Sequence, residues 1–334
     1  MARTMKFMSR YVPPEWAEQA ALWVGWPHLR DEWGVAFDGA REEIAGFVAA
    51  AARYVPVRVA CGSDEAEASA RAVLGDIAEL VRVPTGDIWL RDTGPIIARV
   101  DEQPKALTFE FNGWGGTFEM PGDTETAAAI AAAEGLDEIA HDFVLEGGAV
   151  ELDGDGRLLT TRQCMLNPNR NPGWTQAQAE VALKTAFGVE QVIWLGDGLA
   201  NDHTDGHVDN IARFTGPGHV ICQRASGAND PNAQTYAEVE ADLRAAGLRV
   251  SVIASPGLIG EAQPASHMNF AVTNGAVLLP TYESEHSQAA LEALALLFPG
   301  REIIARPANH ILMGGGSFHC MTREVPRFEA GAGA

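Results

Sequence analysis

The sequence predicts an α/β fold of five similar units gathered around one centre, and three observations carry that expectation. Helical segments repeatedly stop at a glycine and lead at once into a short apolar strand. Five other segments open on a polar head and run into a further strand. Their key polar residues are Asp92, Glu146, His207, Asn269 and Cys320, which follow one another at intervals of about 50 to 60 residues, a spacing that marks a repeat architecture. An ordinary doubly wound sheet also alternates strands and helices, but it does not return one polar residue per unit so regularly.

Taken in order, Asp38–Tyr54 places Ile44, Phe47, Val48 and Ala51 at helical spacing and is followed by the strand VPVRVAC. Thr175–Phe187 forms the next helix and stops at Gly188 before QVIWL. Gln234–Ala246 carries Tyr236, Val239 and Leu243 on one face, ends at Gly247, and precedes LRVSVIA. Ser287–Phe298 carries Leu291, Leu294 and Phe298 and stops at Pro299-Gly300 before REIIA. The polar-headed segments are WLRDTGPIIARV from Trp89, VLEGGAVEL from Val144, HTDGHVDNIARF from His203, SHMNFAVTNGAVLLP from Ser266 and GGGSFHCMT from Gly314. No Ser/Pro-rich linker or charge block divides the chain, so residues 1–334 read as one domain of five pseudo-repeats. Only about 327–334, which includes EAGAGA, reads as a loose tail.

Composition narrows the function. An apolar fraction of 46% with 21% charged residues is that of an ordinary globular protein. No uncharged apolar run approaches the roughly 20 residues of a membrane span, and the opening MARTMKFMSRYVPPEW lacks an apolar signal core. A cytoplasmic location is the expectation, with no membrane partner. Forty-five acidic against 24 basic residues give a net charge of −21, which disfavours nucleic acid as a partner and mildly attracts a cation.

Four cysteines, Cys61, Cys164, Cys222 and Cys320, lie far apart without a CxxC pair, too sparse for a disulfide scaffold or a thiolate zinc site. Cys222 sits inside the buried-strand pattern HVICQ, Cys61 ends VPVRVAC, and Cys164 stands in TTRQCML. These three read as buried hydrophobes whose loss leaves chemistry largely intact. Cys320 differs, because it follows Gly314-Gly315-Gly316-Ser317, a loop that allows close approach to a ligand, and adjoins His319. In HTDGHVDN, Asp205, His207 and Asp209 alternate along an expected strand and share one face. A histidine among carboxylates suits general acid/base work, although His203, His207 and Asp209 also have a metal-ligand spacing. Asp92 and Glu146, taken singly, read equally well as a turn cap and a solvated loop residue.

WLRDTGP, FNGWGG, LEGGAV, GHVDN and GGGSFHCMTREVP, in that order, resemble the agmatine deiminase/bacterial peptidylarginine deiminase family over about Pro14 to Pro326. The resemblance implies a pentein fold, an α/β propeller of five ββαβ-type units around a central active site. It matches Cys320 to the nucleophile, His207 to the acid/base, Asp92 and Asp209 to the guanidinium-binding carboxylates and Glu146 to a further acid. Trp89, Trp114 and Asn269 match residues lining the substrate site. It implies a small cationic guanidino substrate, no metal, no cofactor, and a homo-oligomer of two or more copies.

Two departures bear on the substrate's tail. The chain has GGSFHC at Gly315–Cys320 where agmatine-specific relatives usually have CGNIHC, and His203 stands where they usually carry an acid. Asp202 is the neighbouring residue expected to compensate. Peptidyl- or free arginine is the alternative substrate within this class, and a metal-dependent hydrolase the alternative outside it.

Overall fold

The computed structural model describes residues 10–257, 259 and 265–328. Each unit opens as an antiparallel pair and closes with a parallel strand reached through a helix. In the third unit Ala212–Gly216 pairs antiparallel with His219–Arg224, Ala233–Ala245 is the helix, and Arg249–Ala254 returns parallel. The second unit repeats this with Val150–Leu152, Arg157–Thr161, helix Gln176–Phe187 and Gln191–Leu195. The fourth uses Ala271–Val272, Ala276–Thr281, helix Ser287–Leu297 and Glu302–Pro307. The first uses Ile96–Val100, Gln103–Glu110, helix Thr126–Ala133 and Asp137–Val144, with Arg10–Tyr11 added on its edge.

The fifth unit joins the two ends of the chain. Thr322–Pro326 pairs antiparallel with Gln19–Gly25, and Val57–Cys61 and Glu79–Arg82 complete the sheet in parallel. The result is five small sheets of four, three, three, three and four strands. The polar residue heading each unit lies a few residues before its first strand, so all five heads stand at equivalent places in their units.

Buried apolar faces hold the helices to the sheets. Ile44, Phe47 and Val48 of helix Phe37–Ala51 are fully buried, each contributing about 1.5–3 kcal/mol by removal from water. Thr175 caps its helix through a reciprocal box with Gln178. The expected helices all form, with ends displaced by a residue or a few, as at Phe37–Ala51, which starts and stops earlier than the apolar pattern. Besides several turns of only four or five residues, two longer helices among the described residues escape sequence reading. TAAAIAAA at Thr126–Ala133 is apolar all round and shows no stripe, whereas Asp64–Leu74 aligns Ala66, Ala70 and Leu74 on one face, a narrow stripe built mostly of alanine.

The expected strand through Asp205, His207 and Asp209 does not form. Asp205 has a left-handed φ of 61°, and Val208–Asn210 is a turn of 3₁₀ helix. The strand begins only at Ala212. Of the expected tail, residues 329–334 lie outside the described residues, while the Arg327 amide donates to the Glu18 carbonyl at 2.7 Å. No helix among the described residues is long and apolar enough to cross a membrane.

Candidate active site

Two of the unit heads, Asp92 and His207, meet around Gly148, with Asp209 beside them. A Cβ placed there would stand 2.6 Å from His207 Nδ1, 3.0 Å from Asp92 Oδ1 and 3.1 Å from Asp209 Oδ2. Counting Gly148 itself, three units contribute to this point, and only a glycine leaves room for the side chains to converge. Asp92 sits in a short helical turn, Leu90–Thr93, where Oδ1 accepts from the Gly148 amide at 2.9 Å and Oδ2 from Trp114 Nε1 at 3.0 Å. Its neighbour Arg91 turns away, to Glu324 at 2.8 Å.

Cys320 joins this group through Asp209. Its Sγ lies 3.6 Å from Asp209 Oδ2, and Asn269 Nδ2 donates to it at 3.0 Å. Asn269 Oδ1 accepts from the amides of His319 and Cys320 at 3.0 and 3.2 Å, which pins the nucleophile's backbone. Asp209, fully buried, accepts from His319 Nδ1 at 2.7 Å. Burial, then the charges of Asp209 and Asp92, push the Cys320 thiol well above its ordinary pKa. The thiol is therefore protonated while the site is empty.

Burial alone would lower the pKa of His207. The charge of Asp92, whose Oδ1 is 3.7 Å from His207 Nδ1, outweighs it together with Cys164 and Glu146, and holds the imidazole well above its ordinary range. Glu146 is fully enclosed and accepts from Arg170 Nε at 2.9 Å, so it is no solvated loop residue. Arg170 also pairs with Asp205, which it draws away from His207. Sequence reading missed Arg170, although an arginine in the asparagine-rich string NPNRNP is an unusual candidate for burial.

The cavity above Cys320 is lined by Asp92, Trp89, Trp114, Trp33, Phe118, Glu32 and His203, among others. Trp33 and Trp89 stack with ring centroids 6.0 Å apart, and both indoles donate to buried Asp87, at 2.9 and 2.8 Å. Burial pushes Asp87 up to about 7 despite these donors. A Cβ at Gly314 or Gly316 would meet the Trp33 or Trp89 ring at 2.7 or 2.6 Å. The triple glycine thus lets the indoles close on the loop before Cys320. Asp202 is not among the residues lining the cavity. Its carboxylate accepts from Thr204 N and Oγ1 at 2.9 and 2.6 Å and from Asn210 at 3.3 Å, which leaves His203 and Thr204 as that loop's residues at the cavity.

Among the described residues, the one group of three with a metal-holding spacing is Glu146, Cys164 and His207, not His203, His207 and Asp209. Arg170 already places a buried positive charge against Glu146, an unfavourable neighbour for a cation. The sequence treats Cys164 as a plain core residue; the structure sets its sulfur beside the imidazole.

Five units with a cysteine, a histidine and two carboxylates at their shared centre define the architecture of a guanidine-modifying hydrolase. The chain matches the profile of the Porphyromonas-type peptidyl-arginine deiminase family over residues 11–326, and it belongs to that family. It is 35% identical to the agmatine deiminase of Stutzerimonas stutzeri, with 95% of each chain covered. The solved agmatine deiminase of Enterococcus faecalis superposes with a TM-score of 0.91 at 28% identity, over 98% of this chain and all of that one. A substrate-bound agmatine deiminase from C. jejuni superposes with a TM-score of 0.90 at 26% identity, over 98% of this chain and 99% of that one. The protein is accordingly a hydrolase of the amidine-type C–N bond.

Proposed function

We propose that this protein is a cytoplasmic agmatine deiminase, converting the guanidino group of agmatine to N-carbamoylputrescine and releasing ammonia. The observation that carries the reading is the placement of Cys320 Sγ 3.6 Å from Asp209, which itself gathers with Asp92 and His207 around Gly148. A guanidinium is planar, cationic and forked, and two carboxylates can hold it by charge-assisted hydrogen bonds. Its positive charge offsets the two aspartates that keep the thiol protonated, so binding favours the thiolate.

The thiolate attacks the guanidinium carbon, and His207 gives a proton to the departing nitrogen, which leaves as ammonia. The S-alkylthiouronium left on Cys320 is attacked by water, deprotonated by the same imidazole. The carbon–sulfur bond then breaks, the ureido product forms and the thiolate returns. The reading needs no metal or cofactor, because the substrate is itself an electrophilic cation. It carries a single catalytic domain and an assembly of two or more copies, for which the family likeness is the support.

A panel of agmatine, free arginine, arginyl peptides and methylated arginines, scored for ammonia and ureido product, tests the assignment. Agmatine should be the best substrate. Preference for arginyl peptides would replace it with the alternative reading, and no turnover of any guanidino compound would end it.

The tail has its own test. Asp202 is occupied by its own loop, whereas Glu32 is exposed and lines the cavity with His203. Glu32→Gln should raise KM for agmatine about two- to fivefold, the scale of a solvent-exposed ion pair. It should leave kcat unchanged and butylguanidine unaffected. His203→Asp should raise kcat/KM for agmatine relative to butylguanidine, since it replaces an imidazole with a carboxylate facing the amine. If both ratios hold still, the tail is read elsewhere.

A further inference from the structure

We propose that Cys164 is a positioning residue for His207, the second cysteine on which the reaction depends. The proposal rests on the deiminase reading above and goes beyond it, because Cys164 is not among the residues that line the cavity. Ligating atoms of Glu146, Cys164 and His207 all lie within 4.8 Å of one another, and all three residues are buried. Neither ring nitrogen of His207 reaches a hydrogen-bond partner of ordinary geometry, although both are buried. An imidazole so enclosed needs its orientation held by whatever polar groups surround it. Asp92 faces Nδ1. The remaining polar neighbours in this group are the Glu146 carboxylate and the Cys164 thiol.

The position of Cys164 is itself built. It lies in the short helical turn Arg162–Met165, capped by Thr161, whose hydroxyl accepts from the Cys164 amide at 3.2 Å. The same hydroxyl donates to the Gly206 carbonyl at 2.7 Å, immediately before His207. Gln163 Oε1 accepts from the Gly198 amide at 2.8 Å, tying the turn to the approach of the same loop. The turn that carries the sulfur and the loop that carries the imidazole are thus fastened together on both flanks. Arg170 holds Glu146 through Oε1, so the carboxylate cannot swing to take over the ring alone.

Burial and the charge of Glu146 keep the Cys164 thiol protonated. A neutral thiol is both a weak donor and a weak acceptor, so it can meet the imidazole in either protonation state. That suits a ring that must give a proton to leaving ammonia and then take one from water. Contact with a neutral acceptor favours the imidazolium, so its loss should make His207 a stronger acid.

The test compares Cys164→Ser, which keeps a donor and acceptor, with Cys164→Val and Cys164→Ala, which do not. Kinetics of ammonia release from agmatine would be followed across pH, with melting temperatures recorded alongside. In the Val and Ala proteins kcat should fall about tenfold with KM little changed, the scale of a misaligned catalytic group. The high-pH arm of kcat/KM, where the imidazolium loses its proton, should move about half a unit lower. Cys164→Ser should recover most of both effects, and Cys222→Ala, remote from the site, should show neither.

A wild-type pH profile in Cys164→Val would make Cys164 a packing residue and overturn the proposal. So would a Ser protein as impaired as the Val protein. Should Val and Ala fail to fold, the Ser profile decides alone: wild-type arms support the role, displaced arms refute it. The deiminase reading fails separately, through retained activity in Cys320→Ala.

Discussion

Cys320→Ala is expected to abolish detectable turnover, with kcat down on the order of 10⁵-fold or more, because it removes the nucleophile of a covalent mechanism. Nothing near it can substitute. Asp209 Oδ2, 3.6 Å from the sulfur, is engaged by His319, and the other three cysteines are buried away from the cavity lining. Cys61→Ala and Cys222→Ala should leave the rate near wild type, because burial pushes those thiols up to about 11 and about 12 and they sit in apolar clusters. The check is ammonia release together with mass spectrometry of alkylated protein, in which agmatine protects Cys320 from modification. Near-normal activity in Cys320→Ala would remove the basis of the whole reading.

The second large effect is expected at Asp209, and it has two readouts that move in opposite directions. Asp209→Asn removes one of the two carboxylates that hold the guanidinium, and kcat/KM for agmatine should fall about 10³-fold. The same negative charge, after burial, is the leading reason that the Cys320 thiol is held up. Its removal lowers the thiol's pKa and so raises the thiolate fraction at any fixed pH below that pKa. Alkylation of substrate-free Asp209→Asn by a neutral reagent such as iodoacetamide should therefore be faster than in wild type. A variant that is both slower in turnover and slower in alkylation would show that Asp209 acts by orientation alone, and the charge argument would fail.

Much of this architecture was legible because it is written in local patterns. The glycine stops after helices such as Thr175–Phe187 are short-range features, and so is the polar head before each unit's first strand. Local sequence also separated Cys320, after three glycines, from Cys61 and Cys222. Where the local pattern was weak the reading failed. Helix Thr126–Ala133 has no polar face to set its period, and the residues around His207 alternate as a strand would. There the left-handed Asp205, held by Arg170 and Asn169, turns the backbone instead.

By itself the sequence determined the five-unit order, the soluble-type composition and the candidate heads Asp92, Glu146, His207, Asn269 and Cys320. Each is written along the chain, in local patterns, in their recurrence every about 50 to 60 residues, or in motifs that resemble a known family. Tertiary structure alone decided that two heads, Asp92 and His207, meet with Asp209 across Gly148 and that Arg170 closes on Glu146. It also decided that Asp87 clamps Trp33 to Trp89, and that Cys164 lies beside His207 rather than in plain core. Asp202, the expected reader of the tail, was likewise removed from the cavity by bonds within its own loop. The physical reason is common to all of these. A buried charge or thiol takes its pKa and its role from partners brought to it by other units, and no local pattern encodes which unit supplies them.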